Sequence, residues 1–166
     1  GRTGVKVSQL CFGTMSFGGD ADEATSAQMF NRTRDAGINF YDTADAYSMG
    51  RSEEILGRLI ADCRDDIVLT SKVFNPMRDD INARGLSRRH IMQAVEASLK
   101  RLKTDRIDLY FCHEFDDNTS IDETLRAVDD LGEHLVEDLV GHGTAGHGLQ
   151  WHAGTIGRGK VRGQVV

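Results

Sequence analysis

The 166-residue sequence lacks three features that would each have placed it in a distinct class of protein. It has no apolar run of 18 or more residues, so we expect no membrane span. Basic residues are not in excess, since the net charge is −6, which argues against a general nucleic-acid binder. Its few cysteines, Cys11, Cys63 and Cys112, are odd in number and lack CxxC spacing. We therefore expect buried free thiols in a cytoplasmic protein, without disulfides or a bound metal.

Short apolar runs alternate along the chain with helix patterns. The runs predict strands at residues 7–12, 39–41, 67–71 and 107–112. A helix pattern follows each run, over residues 23–36, 53–61, 88–102 and 121–131. Each helix has a residue placed to cap its first turn, namely Asp22, Ser52, Ser87 and Ser120.

Four strand–helix units predict an α/β fold with a parallel sheet and right-handed crossovers. Such a sheet is either open and doubly wound or part of a (β/α) barrel of the TIM type. A complete eight-fold barrel needs roughly 250 residues, so this chain could supply about half of one. The 39% of hydrophobic residues is enough for a packed core.

Four polar residues fall at the predicted carboxyl ends of the strands. Asp42, Lys72 and His113 end the second, third and fourth strands, and Tyr47 lies in the loop after Asp42. Each has a purely structural alternative. Asp42 could cap a turn and Lys72 could be a solvated strand end. His113 could be a hydrogen-bonded core histidine, and Tyr47 could pack within its loop. Because parallel strands place these ends at one edge of the sheet, where such folds have their active sites, the four residues together favour function.

The chemistry of the four side chains is complementary. A tyrosine hydroxyl is a weak proton donor at neutral pH, and a nearby lysine ammonium favours its phenolate form. A carboxylate keeps the lysine charged and oriented, and a histidine can hydrogen-bond a substrate carbonyl oxygen. The set contains no serine or cysteine nucleophile and no metal-ligand cluster. We therefore expect it to protonate an oxygen while a cofactor supplies electrons, as in carbonyl reduction by hydride transfer.

Several stretches of residues 1–131 resemble the N-terminal half of an aldo-keto reductase. The matching stretches, in chain order, are GRTGVKVS at 1–8, FGTM at 12–15, INFYDTA at 38–44, SEEILG at 52–57, LTSK at 69–72, SLKRL at 98–102 and DRIDLY at 105–110, before His113. One departure is Ser48, which follows Tyr47 where the family often has glycine.

The resemblance implies a (β/α)8 barrel and an NADPH-dependent reductase of aldehydes or ketones. By this resemblance Tyr47 is the general acid, Lys72 assists it, Asp42 pairs with Lys72, and His113 orients the carbonyl. The nicotinamide end of NADP(H) would lie along a short segment together with Asp42, the segment being Gly13, Thr14 and Met15. Three phenylalanines are candidate pocket walls, with ordinary loop packing as the alternative: Phe17, Phe74 and Phe115.

From about Gly132 the resemblance stops, so we expect a half barrel over residues 1–131 and an irregular tail of unassigned origin over 132–166. The tail holds nine of the 18 glycines and four of the six histidines, and no acidic residue follows Asp138. A change of reading frame, a splice junction or a fusion would each produce such a shift. Its GxGxxG at 141–146 lacks a preceding strand, and its histidines lack a scaffold, so we assign neither a nucleotide nor a metal to them.

Three hypotheses therefore stay open at the level of sequence. The chain is a carbonyl reductase that acts on a small-molecule substrate, a non-catalytic relative that binds nucleotide or a partner, or an incomplete barrel. The incomplete barrel is expected to self-associate through its exposed sheet edges.

Overall fold

The computed structural model describes residues 4–140 and shows four parallel strand–helix units. The strands, in sheet order, are β1 (Phe12–Gly13), β2 (Phe40–Asp42), β3 (Val68–Val73) and β4 (Leu109–Cys112). The helices are α1 (Glu23–Asp35), α2 (Arg51–Leu59), α3 (Arg88–Leu102) and α4 (Ile121–Val140), with short 3-10 helices at Tyr47–Gly50 and Arg64–Asp66. The predicted α/β fold with a parallel sheet is confirmed.

The core lies between the sheet and its helices. Tyr41 on β2 and Leu69 on β3 are fully buried there, together with Leu56 of α2 and Ile91 of α3. Helices α2 and α3 approach each other at backbone distance, because a Cβ atom on Gly57 would lie 2.4 Å from the carbonyl oxygen of Leu102. This side of the sheet is therefore closed by tight helix packing.

Three of the four predicted helix caps are confirmed. The Asp22 carboxylate accepts the Thr25 N–H at 2.8 Å, and the hydroxyls of Ser87 and Ser120 accept N–H groups in the first turns of α3 and α4. The Ser52 cap was wrong, because α2 begins at Arg51 and its N-cap is Gly50 at φ 88°. Ser52 instead lies inside the helix, where its hydroxyl faces the candidate site.

The predicted first strand at 7–12 was also wrong in extent. Only Phe12 and Gly13 pair with β2, opposite Tyr41 and Asp42. Since β2 itself begins at Phe40, little extended backbone is available for the earlier residues to pair with. The Ser8 N–H is satisfied by the Asn39 side chain at 2.7 Å, and the apolar side chains of this segment stay exposed, as at Val7 and Leu10.

The cysteines are free within the described part of the chain, but the predicted burial was wrong for two of them. Cys11 and Cys112 are exposed and Cys63 is half-buried. The prediction assumed strands covered on both faces. In the described residues β4 is an edge strand, and two of its apolar side chains are also exposed, those of Leu109 and Phe111.

Helix α4 extends to Val140, beyond residue 131, where the predicted helix ended. The proposed division of the chain at residue 132 therefore falls within this helix and stays a prediction. The GxGxxG stretch at 141–146 and the histidines that follow it lie outside the described residues. Among residues 4–140, no helix is long and apolar enough to cross a membrane.

Candidate active site

The sheet register brings the four predicted catalytic residues to one edge. Asp42 is the last residue of β2 and pairs with Thr70 of β3, while Lys72 pairs with Phe111 of β4. His113 follows β4 and its N–H donates to the carbonyl of Val73 at 2.9 Å. Tyr47 opens the 3-10 helix after β2. All four side chains therefore meet where the parallel strands end.

Lys72 is the centre of the cluster. Its Nζ donates to the Asp42 carboxylate at 2.6 Å, to the Thr43 carbonyl at 2.8 Å and to the Tyr47 hydroxyl at 3.1 Å. An ammonium group has three N–H donors, so each has an acceptor here. The lysine thereby joins the carboxylate and the phenol directly, and its position is determined by three partners rather than by one.

Thr70 is a residue of this cluster that the sequence interpretation missed. Its hydroxyl donates to the Asp42 Oδ1 atom at 2.5 Å, while Lys72 takes Oδ2. Both carboxylate oxygens therefore have a donor. Thr70 precedes Lys72 by two residues on β3, so the two-residue period of a strand places them on the same face, and this signal could have identified it.

His113 lies beside Tyr47, with ring centroids 5.8 Å apart in an edge-on arrangement. Burial lowers the pKa of the imidazole, and the nearby Lys72 charge lowers it further. His113 is therefore uncharged at neutral pH, with one ring nitrogen as a hydrogen-bond donor. Its Nδ1 atom is buried and has no partner among the described residues.

The loop that carries Tyr47 has left-handed backbone at two residues other than glycine. Ser48 has φ 51° and Met49 has φ 56°. This conformation costs a side chain about 1 kcal/mol or more and costs glycine little, so a glycine at position 48 would fit this loop with less strain. Gly50, at φ 88°, ends the loop, and a Cβ atom there would lie 2.7 Å from Arg101 Cδ.

Ser52 connects the ends of the first two strands. Its hydroxyl donates to the Thr14 carbonyl at 2.8 Å and lies 2.9 Å from the Thr14 hydroxyl and 3.0 Å from that of Thr43. The Thr14 N–H in turn donates to the Asp42 carbonyl at 2.9 Å. This network holds the predicted cofactor segment against the residues that position Lys72.

The predicted cofactor residues differ in their exposure. Gly13 and Met15 are exposed beside the cluster, whereas Thr14 is fully buried and supports them from behind. A Cβ atom on Gly13 would meet no atom within 4 Å, so the backbone there borders open space. Of the three residues of this segment, Gly13 and Met15 are therefore the ones that a ligand could reach.

Two of the candidate pocket walls are packed against the protein. Phe17 is fully buried, with its ring centroid 6.0 Å from that of Phe12 in a tilted arrangement, and Phe74 packs against the core. For these two, the packing alternative accounts for the residue. Phe115 is 72% exposed on the loop after β4, so it is the most accessible of the three to a ligand. Within the described part of the chain, no group of three or more His, Cys, Asp or Glu side chains could hold a metal ion.

Sequence and structure comparisons agree on the family. A sequence model of the aldo/keto reductase family matches residues 9–134. An uncharacterized oxidoreductase, YrpG, of Bacillus subtilis (strain 168) is 42% identical over 140 residues, which are 78% of this chain and 43% of that protein. A norsolorinic acid reductase of Aspergillus flavus is 39% identical over 143 residues, 77% of this chain and 37% of that protein.

Two further matches are a relative that carries a different kind of name and a solved structure. A probable voltage-gated potassium channel subunit beta of Oryza sativa subsp. japonica is 40% identical over 138 residues, 81% of this chain and 42% of that protein. The holo form of an aldo-keto reductase from Bacillus halodurans superimposes with a TM-score of 0.71 at 37% identity, over 78% of this chain and 44% of that one. The chain thus spans less than half the length of these relatives.

Proposed function

Because the chain belongs to the aldo/keto reductase family, we propose that it takes part in NADPH-dependent reduction of an aldehyde or ketone to an alcohol. The observation that carries this proposal is the Lys72 ammonium, which hydrogen-bonds both the Asp42 carboxylate and the Tyr47 hydroxyl. A phenol bound to a fixed cation is suited to give up a proton to an oxygen.

In the proposed reaction Tyr47 donates its hydroxyl proton to the substrate carbonyl oxygen. The Lys72 charge then stabilises the phenolate that forms, and Asp42 holds Lys72 in place. The uncharged His113 donates a hydrogen bond to the same carbonyl oxygen and orients it beside Tyr47. The nicotinamide, when bound, supplies the hydride that the carbonyl carbon receives.

The proposed cofactor contacts are Gly13 and Met15, with Asp42 beside Gly13 on the neighbouring strand and Thr14 in support. Their open surface lies next to the Asp42–Lys72 pair, as a ring that reacts at this site requires. The preference for NADP(H) comes from the family resemblance, and the cytoplasmic location comes from the composition and the cysteines. Both belong to the proposal.

The test is a titration of the purified chain with NADPH, followed by turnover assays on aldehydes and ketones.

Tyr47→Phe should lower turnover by about 100-fold or more, the range for a general acid, and leave NADPH affinity nearly unchanged. Tyr110→Phe is the matched control, because that hydroxyl lies on β4 away from the cluster and should not affect turnover. Equal turnover of Tyr47→Phe and the parent chain would overturn the role of Tyr47. Absence of NADPH binding at millimolar concentration would overturn the proposal for this chain.

A second candidate is association of two copies of the chain without catalysis. It is favoured by β4, an edge strand of the described sheet whose Leu109 and Phe111 side chains are 38% and 45% exposed. A second copy that paired along this edge would cover both side chains and continue the sheet. Light scattering would give the mass in solution, and a monodisperse monomer at all concentrations would contradict this candidate.

A further inference from the structure

A second polar cluster lies between α3, the loop that precedes it and the β2–α2 connection, apart from the side chains of the candidate active site. Here a cavity of about 60 Å³ is bordered by Asp45 from the β2–α2 connection, His90 and Arg101 of α3, and Arg78 from the loop before α3. Its apolar lining includes Ala94. None of these residues belongs to the group around Lys72.

The polar atoms that border the cavity are incompletely satisfied. Asp45 is fully buried, and neither of its carboxylate oxygens has a hydrogen-bond partner of normal geometry among residues 4–140. The Ala46 N–H lowers the Asp45 pKa through a weak backbone contact, which falls outside normal hydrogen-bond geometry. His90 is 4% exposed, and its Nε2 atom also lacks a partner in the described part of the chain. Leaving such groups unpaired costs about 1–3 kcal/mol each, so buried polar atoms normally have partners.

The charges around the cavity are mixed and favour neither ion. Arg78 and Arg101 border it and disfavour a cation, while the neighbouring Glu53, paired with Arg101, disfavours an anion. Burial raises the pKa of Asp45 to about 7 and lowers that of His90, so both groups are driven toward their uncharged forms. An uncharged carboxyl and an uncharged imidazole need an uncharged partner that both donates and accepts.

Water meets this requirement and fits the space. A water molecule needs about 10–15 Å³ of such volume and two to four polar partners, so the cavity has room for a few. We propose that the cavity is a built hydration site, in which ordered water hydrogen-bonds the Asp45 carboxyl and His90 Nε2 and joins the β2–α2 connection to α3.

The site has a consequence for the neighbouring loop. The Asp45 N–H donates to the Lys72 carbonyl at 3.3 Å, and the Tyr47 N–H donates to the carbonyl of Ala44, the residue before Asp45. Water held by Asp45 would therefore stabilise the backbone segment that leads to Tyr47. This inference rests on the geometry of the cavity and does not depend on the proposed reaction.

The experiment is water–protein NMR on the full 15N-labelled chain. Long-lived water should give direct cross-peaks at the amide protons of Asp45 and His90. Asp45→Asn retains hydrogen-bonding groups and should keep these signals, whereas His90→Phe replaces Nε2 by a C–H group and should lose the signal at the amide of residue 90. The absence of long-lived water at both amides of the parent chain overturns the proposal, and so does an unchanged signal in a folded His90→Phe.

If His90→Phe does not fold, the His90→Gln variant replaces it. Gln keeps a polar group in the cavity, so its water signal should persist. A crystal structure of the parent chain provides a second measurement. Density for water bonded to both Asp45 and His90 supports the site, and a cavity filled by the Arg78 side chain would contradict it.

Discussion

Alternate residues of β3 serve two polar clusters on opposite sides of the sheet. Thr70 and Lys72 belong to the cluster at the carboxyl edge, whereas Ser71 donates at 2.6 Å to the buried Glu53 behind the sheet. The edge cluster is half-exposed, yet both Asp42 oxygens and all three Lys72 donors have partners. The cluster behind the sheet is more deeply buried, yet Asp45 and His90 have unpaired atoms in the described part of the chain.

Pairing does not follow burial in this chain, because the buried Glu53 is paired with Ser71 and Arg101 while the equally buried Asp45 has no side-chain partner among the described residues. The partly exposed Asp42 and Lys72 could be solvated, and they nevertheless hold each other at 2.6 Å. Behind the sheet, Asp45 is pushed toward its protonated form by burial and by the nearby Glu53. We therefore expect fixed charge at the carboxyl edge and a proton-binding, hydrated group behind the sheet.

The largest expected effect on stability is that of Arg101→Met. The Arg101 Nε atom lies 2.7 Å from the carboxylate of Glu53, whose side chain is 0% exposed. Removing the guanidinium leaves a buried charge next to Asp45, which should cost about 3–5 kcal/mol of unfolding free energy. Urea denaturation measures this loss.

Arg58→Met is the matched control for that variant. Arg58 Nε also lies 2.7 Å from a glutamate, but Glu23 is 61% exposed. We expect the free energy of unfolding to fall by at most about 1 kcal/mol in this variant, since solvent screens the Arg58–Glu23 pair. Equal losses of unfolding free energy in the two variants would show that the burial of Glu53 does not determine how strongly its ion pair with Arg101 stabilises the fold.

An intermediate effect, with a specific pH dependence, is expected for Asp45→Asn. The Asp45 pKa is raised from 3.8 to about 7 in the folded chain, so the folded state binds a proton that the unfolded state releases between these values. The contribution of this group to stability is therefore fully present below about pH 4 and is lost as the pH rises through about 7. Asparagine does not titrate, so the stability of the variant does not fall for this reason as the pH rises.

The variant should thus gain stability relative to the parent chain as the pH rises from about 5 to about 8, by about 2–3 kcal/mol, most of it below pH 7. Paired urea titrations at the two pH values measure the gain. The charged and titratable groups that face Asp45 are present in both proteins and largely cancel: Glu53, Lys72, His90, Arg101 and Tyr110. A stability difference that does not change with pH would contradict the raised pKa.

The smallest effect is expected for Thr70→Val, which tests the pairing of the edge cluster. It removes the hydroxyl that donates to Asp42 Oδ1 and keeps the shape of the side chain. Because Asp42 is partly exposed and water can replace the donor, we expect the free energy of unfolding, measured by urea denaturation, to fall by about 1 kcal/mol. Thr70→Ser retains the hydroxyl and should restore most of the stability. A serine variant as unstable as the valine variant would exclude the hydrogen bond as the cause.

Much of the fold was predictable because its signals are local. The apolar stripe of α3, the caps at Asp22 and Ser87, and the alternation of strands and helices all lie within short windows of sequence. The failures at β1 and at Ser52 have a non-local cause. The length of β1 depends on how much of β2 is available for pairing. The Ser52 hydroxyl hydrogen-bonds Thr14 and Thr43, which lie outside its own helix.

The sequence by itself determined which chemical groups stand at the ends of the strands, because strand ends and loop positions follow from local patterns. Asp42, Tyr47, Lys72 and His113 could therefore be assembled as a candidate site before any distance was known. Only the tertiary structure decided how these groups are joined. Hydrogen-bond partners such as Thr70, and a cavity between Asp45 and His90, depend on register and packing between segments far apart in the chain, and no local pattern encodes them.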